Sequence, residues 1–222
     1  MIDSCLGGAR IEDMKRKTIF SYGLIAVAAF SVALIQTNVL RAQSLWSVPV
    51  GGTASTLSHL GPVSGEDKYR GMDVYRWMLS NGNQFTATVN PEGEIVYAES
   101  DWFGKSAETG CDLAGLKFGV TTLADLRKRF GSDGFTFRTR ASGFRTEDGL
   151  AMMYSWEVDK VVITFYTKIN TQDLARTQAE GSKESTADYA RLYAISMANA
   201  AYARREWGAR LGAPATTKTV WK

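Results

Sequence analysis

The sequence predicts an α+β protein in which two repeats, each a short helix followed by an antiparallel meander, precede a long C-terminal helix. Residues 118–137 combine a short amphipathic helix with a following strand, and residues 72–100 alternate between apolar and polar side chains as strands do. Residues 185–210 are alanine-rich, with apolar side chains at helical spacing. The predicted segments are residues 1–44 (N-terminal extension and signal peptide or anchor), 45–104 (first repeat), 105–170 (second repeat) and 171–222 (C-terminal helix and tail).

The N-terminal segment predicts export. Met14-Lys15-Arg16-Lys17 is a basic stretch, and the uncharged run Ile19–Ile35 follows it. Leu40-Arg41-Ala42 and Ala42-Gln43-Ser44 then offer cleavage sites with small residues. We expect a cleaved signal peptide; the alternative is a retained anchor, because a 17-residue run is at the lower limit for a membrane span. In both cases the bulk of the protein lies outside the cytoplasm, periplasmic or secreted, or held at the inner membrane.

Charge and composition argue against nucleic-acid binding. The 222-residue chain is 45% hydrophobic and 22% charged, with a formal net charge of +3. Five of its 26 basic and three of its 23 acidic residues precede residue 43, so the rest carries +1. Such a balance provides no extended positive field for a phosphate backbone.

In the first repeat, a helical turn ends at Gly61-Pro62 and a three-stranded meander follows. The strands Met72–Ser80 and Asn83–Val89 are joined at Asn81-Gly82, the preferred pair for a type I′ turn. A third strand, Glu94–Ser100, completes the meander.

The helix of the second repeat is specified by local signals. Thr122 and Asp125 form a variant capping box, and Gly131 supplies the left-handed residue that ends the helix. Its apolar face consists of Leu123, Leu126 and Phe130. Because such a short helix is unstable alone in water, it must pack on the strands that follow.

Those strands are predicted to form a hairpin similar to that of the first repeat. Leu150–Val158 and Val161–Lys168 are joined at Asp159-Lys160, a weaker turn pair. Tyr75-Arg76-Trp77 and Tyr154-Ser155-Trp156 each open a hairpin after a helix that ends in glycine. This agreement of element order favours an internal repeat.

The order of short helix, glycine and antiparallel strands, given twice, resembles the tandem repeats of the β-lactamase inhibitor protein and the small outer-membrane assembly lipoproteins of the SmpA/OmlA type. The resemblance covers residues 54–168 and rests on the segments FGVTTLADLRKRFG and STLSHLGP, each with the hairpin that follows it. It implies an exported module that binds proteins through its sheet and loops and has no catalytic site. The lipoprotein cysteine and the inhibitor's disulfides are missing, so the specific partner is not transferable.

Catalytic and metal-binding residues are not predicted, and neither is a cofactor. His59 is the only histidine and lies in a serine-rich turn. Cys111 is the only cysteine after the apolar run, so no intramolecular disulfide is expected; we interpret it as a partly buried small residue, and the alternative is a reactive thiol. One histidine and one cysteine do not make a zinc site. The acids Glu99, Asp101, Glu108 and Asp112 are interpreted as solvated loop charges rather than a paired-carboxylate site.

Aromatic side chains are the candidate binding residues. Large rings on strands mostly pack in a core, and those on an uncovered sheet face mark partner sites. The candidates are Tyr75, Trp77, Tyr97, Trp102, Tyr154, Trp156 and Tyr166.

The hypothesis that follows is a non-catalytic, exported module that binds another protein of the cell envelope. Two alternatives stay open. One is an exported hydrolase or small-ligand carrier with a cleft between the sheet and the C-terminal helix. The other is a membrane-anchored accessory subunit of a membrane complex, if the N-terminal segment is retained.

Overall fold

A computed structural model describes residues 44–104, 113, 115–140 and 143–211, and it confirms the α+β class. The predicted signal peptide or anchor, Cys111, Glu108, Asp112 and the C-terminal tail lie outside the described residues. The helices are a 3₁₀ helix (Ala54–Leu60), α1 (Leu123–Phe130), α2 (Thr171–Gln178), α3 (Thr186–Tyr189) and α4 (Ala200–Trp207). The strands are β1 (Ser44–Leu45), β2 (Val48–Pro49), β3 (Gly65–Tyr69), β4 (Met72–Met78), β5 (Gln84–Val89), β6 (Ile95–Asp101), β7 (Thr136–Phe137), β8 (Gly143–Thr146), β9 (Gly149–Val158), β10 (Val161–Asn170), β11 (Arg191–Asn199) and β12 (Arg210–Leu211).

One eight-stranded sheet organises the fold, with the order β3-β4-β5-β6-β11-β10-β9-β8. All of its neighbouring strands are antiparallel. The meander β4-β5-β6 and the hairpin β9-β10 lie where the sequence predicts them. The two edge strands, β3 and β8, are not among the predicted strands. β3 exposes Glu66, Asp67 and Lys68, and β8 is only four residues long.

The predicted long C-terminal helix is wrong. Residues 185–210 instead form α3, β11 and α4, and no helix in the described part of the chain exceeds eight residues. The reason lies in β11, which is at the centre of the sheet and has buried residues on both faces. Its buried run of Ala, Ile, Ser and Met has no strand-like alternation, so it resembles a helix segment in sequence.

The predicted architecture of two equal repeats is not supported either. The second meander needs a fourth strand, β11, which follows two inserted helices, α2 and α3. The first meander has its four strands in unbroken order from β3 to β6. The β6–β11 pairing joins the two groups of four strands, β3 to β6 and β8 to β11, into one sheet.

The type I′ geometry predicted for Asn81-Gly82 is found instead at the other hairpin turn, Asp159-Lys160. Ser80, Asn81 and Gly82 form a three-residue loop in which only Gly82 has a positive φ (81°). Asp159 and Lys160 both have positive φ, at 46° and 70°, between the paired residues Val158 and Val161. The left-handed pair that defines a type I′ turn is therefore at Asp159-Lys160 and not at Asn81-Gly82.

The main core lies on one sheet face, which we call the core face, beneath α1. Trp156 is fully buried on β9, with its ring centroid 5.0 Å from that of Phe130 and 5.6 Å from that of Phe165. Its indole Nε1 donates to Ser132 Oγ at 2.9 Å. The predicted capping box is confirmed: Asp125 N donates to Thr122 Oγ1, and the Asp125 carboxylate accepts from Thr122 N.

A smaller apolar cluster covers one end of the opposite face. Helix α4 contributes Tyr202, Ala203 and Trp207, which pack against Phe137 and against Val162 of β10. The ring centroids of Phe137 and Trp207 are 5.2 Å apart. The rest of this face carries polar side chains, so we call it the polar face. None of the helices in the described residues has the length and apolar character needed to cross a bilayer.

Replacing Thr167 by valine should stabilise the protein. The Thr167 side chain is fully buried on β10, and its hydroxyl has no hydrogen-bond partner within the described residues. Removing an unpaired buried hydroxyl avoids its desolvation cost, so we expect a gain of about 1 kcal/mol in the free energy of unfolding, measured by urea denaturation.

Thr164→Val is the matched control on the same strand. The Thr164 hydroxyl is 2.8 Å from Ser155 Oγ, so its removal leaves Ser155 unpaired and should cost about 1–2 kcal/mol. A Thr167→Val protein no more stable than the native one would contradict the assignment.

Candidate functional site

A row of polar side chains crosses five strands on the polar face. The register pairs Thr86 with Glu99, Glu99 with Ser196, Ser196 with Thr164 and Thr164 with Ser155. Directly paired residues share a face, so these side chains lie side by side. Ser196, Thr164 and Ser155 are buried, which is unusual for hydroxyl side chains; Thr164 and Ser155 hydrogen-bond to each other, and Ser196 to the Tyr166 hydroxyl.

The next row brings an acid and two tyrosines beside the first. Asp101 pairs with Ala194, and Ala194 pairs with Tyr166. A β-bulge follows, where β11 has one extra residue, Tyr193. The bulge turns the Tyr193 ring toward that of Tyr166, at a centroid distance of 6.2 Å, and both rings are half-buried.

Glu99 and Asp101 form a hydrogen-bonded carboxyl pair. They are two residues apart on β6, so both point to the polar face. Burial, the charge of Asp101 and the hydrogen bond to Asp101 together raise the pKa of Glu99 to about 8. Burial also raises the pKa of Asp101, against the opposing effect of the hydrogen bond from Glu99. Glu99 therefore keeps its proton at neutral pH.

Arg140 closes the site from the side of α4. Its Nη1 donates to the Tyr166 hydroxyl at 2.5 Å, and its guanidinium carbon lies 3.9 Å from the centroid of the Trp207 ring. Burial and the charge of Glu99 raise the pKa of Tyr166, so the phenol stays neutral and can donate to Ser196 Oγ, 3.3 Å away. The positive charge of Arg140 lowers the pKa of Glu99, but burial outweighs it. We call Glu99, Asp101, Arg140, Tyr166, Tyr193 and Ser196 the carboxyl-pair site.

The arrangement offers two kinds of chemistry. Its hydroxyls and guanidinium can donate hydrogen bonds to a ligand and Asp101 can accept them, whereas the Glu99 proton already bonds to Asp101. The carboxyl pair can also exchange a proton near neutral pH. Among the described residues, no three side chains of metal-ligand type come together, so the site has no metal cage built from this part of the chain.

The predicted aromatic residues are dispersed over both faces. Trp77 and Trp156 are buried in the main core, where no partner can reach them. Tyr166 alone among the seven belongs to the carboxyl-pair site. The others pack elsewhere: Tyr75 against Trp77, Tyr97 against Tyr202 and Trp207, Trp102 stacked on Phe118, and Tyr154 beneath the Arg127 guanidinium.

His59 does not belong to the site. Its ring nitrogens face the carbonyl oxygens of Thr56 and Trp46, at 2.6 and 2.8 Å. These contacts join the 3₁₀ helix to the β1–β2 hairpin, which is a structural role.

The interpretation of Glu99 and Asp101 as solvated loop charges is wrong, because both lie on β6 and are half-buried. Their i, i+2 spacing in a strand was the available sequence signal. Arg140, Tyr193 and Ser196 had no such signal. They reach the site through the loop after β7 and through β11, a strand mistaken for helix.

Comparisons with known proteins do not assign a family. No family model matches the chain, and no curated protein matches it. One solved structure is similar, a DUF4309 family protein (YjgB) from Bacillus subtilis, with 12% sequence identity and a TM-score of 0.39. The similarity covers 73% of this chain and 91% of that one, and it is too low to support an argument about function.

Glu99→Gln should remove a pH dependence of stability. The folded state raises the pKa of Glu99 from 4.5 to about 8, so folding binds a proton between these values. The stabilisation is complete below pH 4.5 and is lost as the pH rises through 8. Glutamine stays neutral and still donates to Asp101, so we expect Glu99→Gln to be about 1–2 kcal/mol more stable than the native protein at pH 7.5 and equal to it at pH 4.

Chemical denaturation at the two pH values measures this difference. Glu92→Gln, at an exposed turn residue, is the control and should change little at either pH. Equal stability of native and Glu99→Gln proteins at pH 7.5 would refute the shared proton.

Proposed function

We propose that the protein is an exported, non-catalytic module that binds another protein of the cell envelope through its polar face. The carboxyl-pair site is the centre of the contact surface. The observation that supports this most is a cluster of two acids, an arginine and two tyrosines, linked by hydrogen bonds and a ring contact, on a sheet face that the described helices cover only at one end.

The side-chain types suit protein recognition. Tyrosine and arginine are enriched in interface cores, where rigid rings give large contact areas at low entropic cost. Tyr166, Tyr193 and Arg140 are already half-buried and held by one another or by Trp207. Binding would therefore cost little further desolvation or ordering at this centre.

The sequence supports the proposed location. The basic stretch, apolar run and cleavage sites before residue 45 are typical of an exported protein.

Tyr193→Ala should weaken partner capture without unfolding the protein. Tyr193 is the extra residue of a bulge and is half-buried, so its ring contributes more to the surface than to the core. We expect recovery of the partner from an envelope fraction to fall about tenfold or more, as for a central interface tyrosine. Affinity capture followed by mass spectrometry measures the loss.

Tyr69→Ala is the control for this experiment. Tyr69 is an exposed ring on the edge strand β3, outside the carboxyl-pair site, and its loss should leave capture unchanged. Recovery of no specific protein, or equal capture by Tyr193→Ala and native protein, would overturn the proposal.

The second candidate is an exported hydrolase, favoured by the raised pKa of Glu99. A carboxyl group that keeps its proton to about pH 8, beside a second carboxyl group, is the pairing that general acid–base catalysis uses. In this case Asp101 would take a proton from an attacking water, and Glu99 would give its proton to the leaving group of the substrate.

A substrate panel of peptides and esters tests this candidate. Hydrolysis should fall as the pH rises above about 8, where Glu99 loses its proton, and Glu99→Gln should reduce the rate about 100-fold or more. Activity unchanged in Glu99→Gln, or absent from the native protein across the panel, would eliminate it.

A further inference from the structure

A cavity lies at the end of the sheet where α4 meets two turns. It has a volume of about 640 Å³, within the range of small-molecule sites. The β3–β4 turn, the β5–β6 turn and α4 form its walls, and Met72 and Val96 give it a buried apolar floor. It shares no lining residue with the carboxyl-pair site.

One wall is basic and rigid. Arg70 Nη1 and Arg205 Nε bind the two oxygens of the Glu206 carboxylate, at 2.9 and 2.8 Å. The Glu206 side chain is only 4% exposed, whereas those of the two arginines are 64% and 63% exposed. A buried carboxylate thus fixes both guanidinium groups and leaves most of their N–H groups toward the solvent-filled space.

Backbone geometry adds to this rigidity. Arg70 has a φ of 51° and precedes Gly71 (φ 81°) in the two-residue turn between Tyr69 and Met72. This left-handed pair sets the direction of the Arg70 side chain. Arg205 is further held by a contact from its Nη2 to Met72 Sδ, at 3.8 Å.

The other wall is acidic. Glu92 and Glu94 come from the β5–β6 turn, and neither forms an ion pair within the part of the chain that is described. Asn90 Oδ1 accepts from Glu94 N and Asn199 Oδ1 accepts from Ala201 N, so both amide NH₂ groups remain as donors.

We propose that this cavity binds a small zwitterion, an amino acid or a short peptide. The ligand carboxylate pairs with Arg70 and Arg205, and the ligand ammonium pairs with Glu92 and Glu94. A simple anion would face the unpaired acids, and a simple cation would face the arginines. Only a ligand with both charges satisfies both walls, while its side chain contacts Met72 and Val96.

Isothermal titration calorimetry with dialanine, which carries both charges, tests the proposal. We expect saturable binding with a Kd below about 1 mM. N-acetyl-dialanine lacks the ammonium, dialanine amide lacks the carboxylate, and each should bind about tenfold more weakly or worse, because each leaves one wall unpaired.

Variants at the two walls separate the contributions. Arg70→Gln should weaken dialanine binding about tenfold, and Glu92→Gln, at an exposed turn residue, should do the same. Lys68→Gln is the control, because Lys68 lies on the edge strand β3, outside the cavity, where it pairs with Asp73 of β4.

Three outcomes would overturn the proposal. They are no heat of binding with dialanine up to about 10 mM, equal binding of dialanine and its singly charged analogues, and a Glu92→Gln protein that binds as the native one does. Partner capture is unaffected by any of these outcomes, so failure here is distinct from failure of the protein-binding function.

Discussion

The pairing of β11 with β6 and β10 is the constraint on which the rest of the structure depends. The two groups of strands, β3 to β6 and β8 to β10, have no direct pairing with each other. β11 bonds to β6 on one side through Asp101↔Ala194 to Tyr97↔Ala198, and to β10 on the other. It is buried on both faces, so it contributes to the main core through Ile195 and to the smaller cluster through Ala198. Without it there would be two separate meanders, each with a half-covered apolar face.

The same strand brings the carboxyl-pair site together. β11 places Ser196 beside Glu99, and its bulge places Tyr193 beside Tyr166. Glu99 and Asp101 come from β6, Tyr166 comes from β10, and β11 lies between these two strands. The desolvation that retains a proton on Glu99 is therefore a consequence of sheet assembly. Isolated in the first meander, the same two acids would be close in sequence but open to water.

Local sequence signals were sufficient to predict those elements whose contacts are between residues close together in the chain. The capping box at Thr122 and Asp125, the glycine stop at Gly131 and the β9–β10 hairpin could all be predicted, because their partners lie within a few residues. β11 could not be predicted, since alternation disappears in a strand covered on both faces. The Asn81-Gly82 turn was misassigned because loop length, set by the pairing of the strands, overrides dipeptide preference. Of the site residues, Glu99 and Asp101 were visible as a pair on the sequence, but their burial depends on contacts from β10 and β11, far along the chain.

The position of β11 near the C-terminal end also sets the order of events during synthesis. The central strand leaves the ribosome after the other seven strands of the sheet, so native closure waits until most of the chain has been made. Until then the two groups of strands, β3 to β6 and β8 to β10, would each expose an apolar face to water.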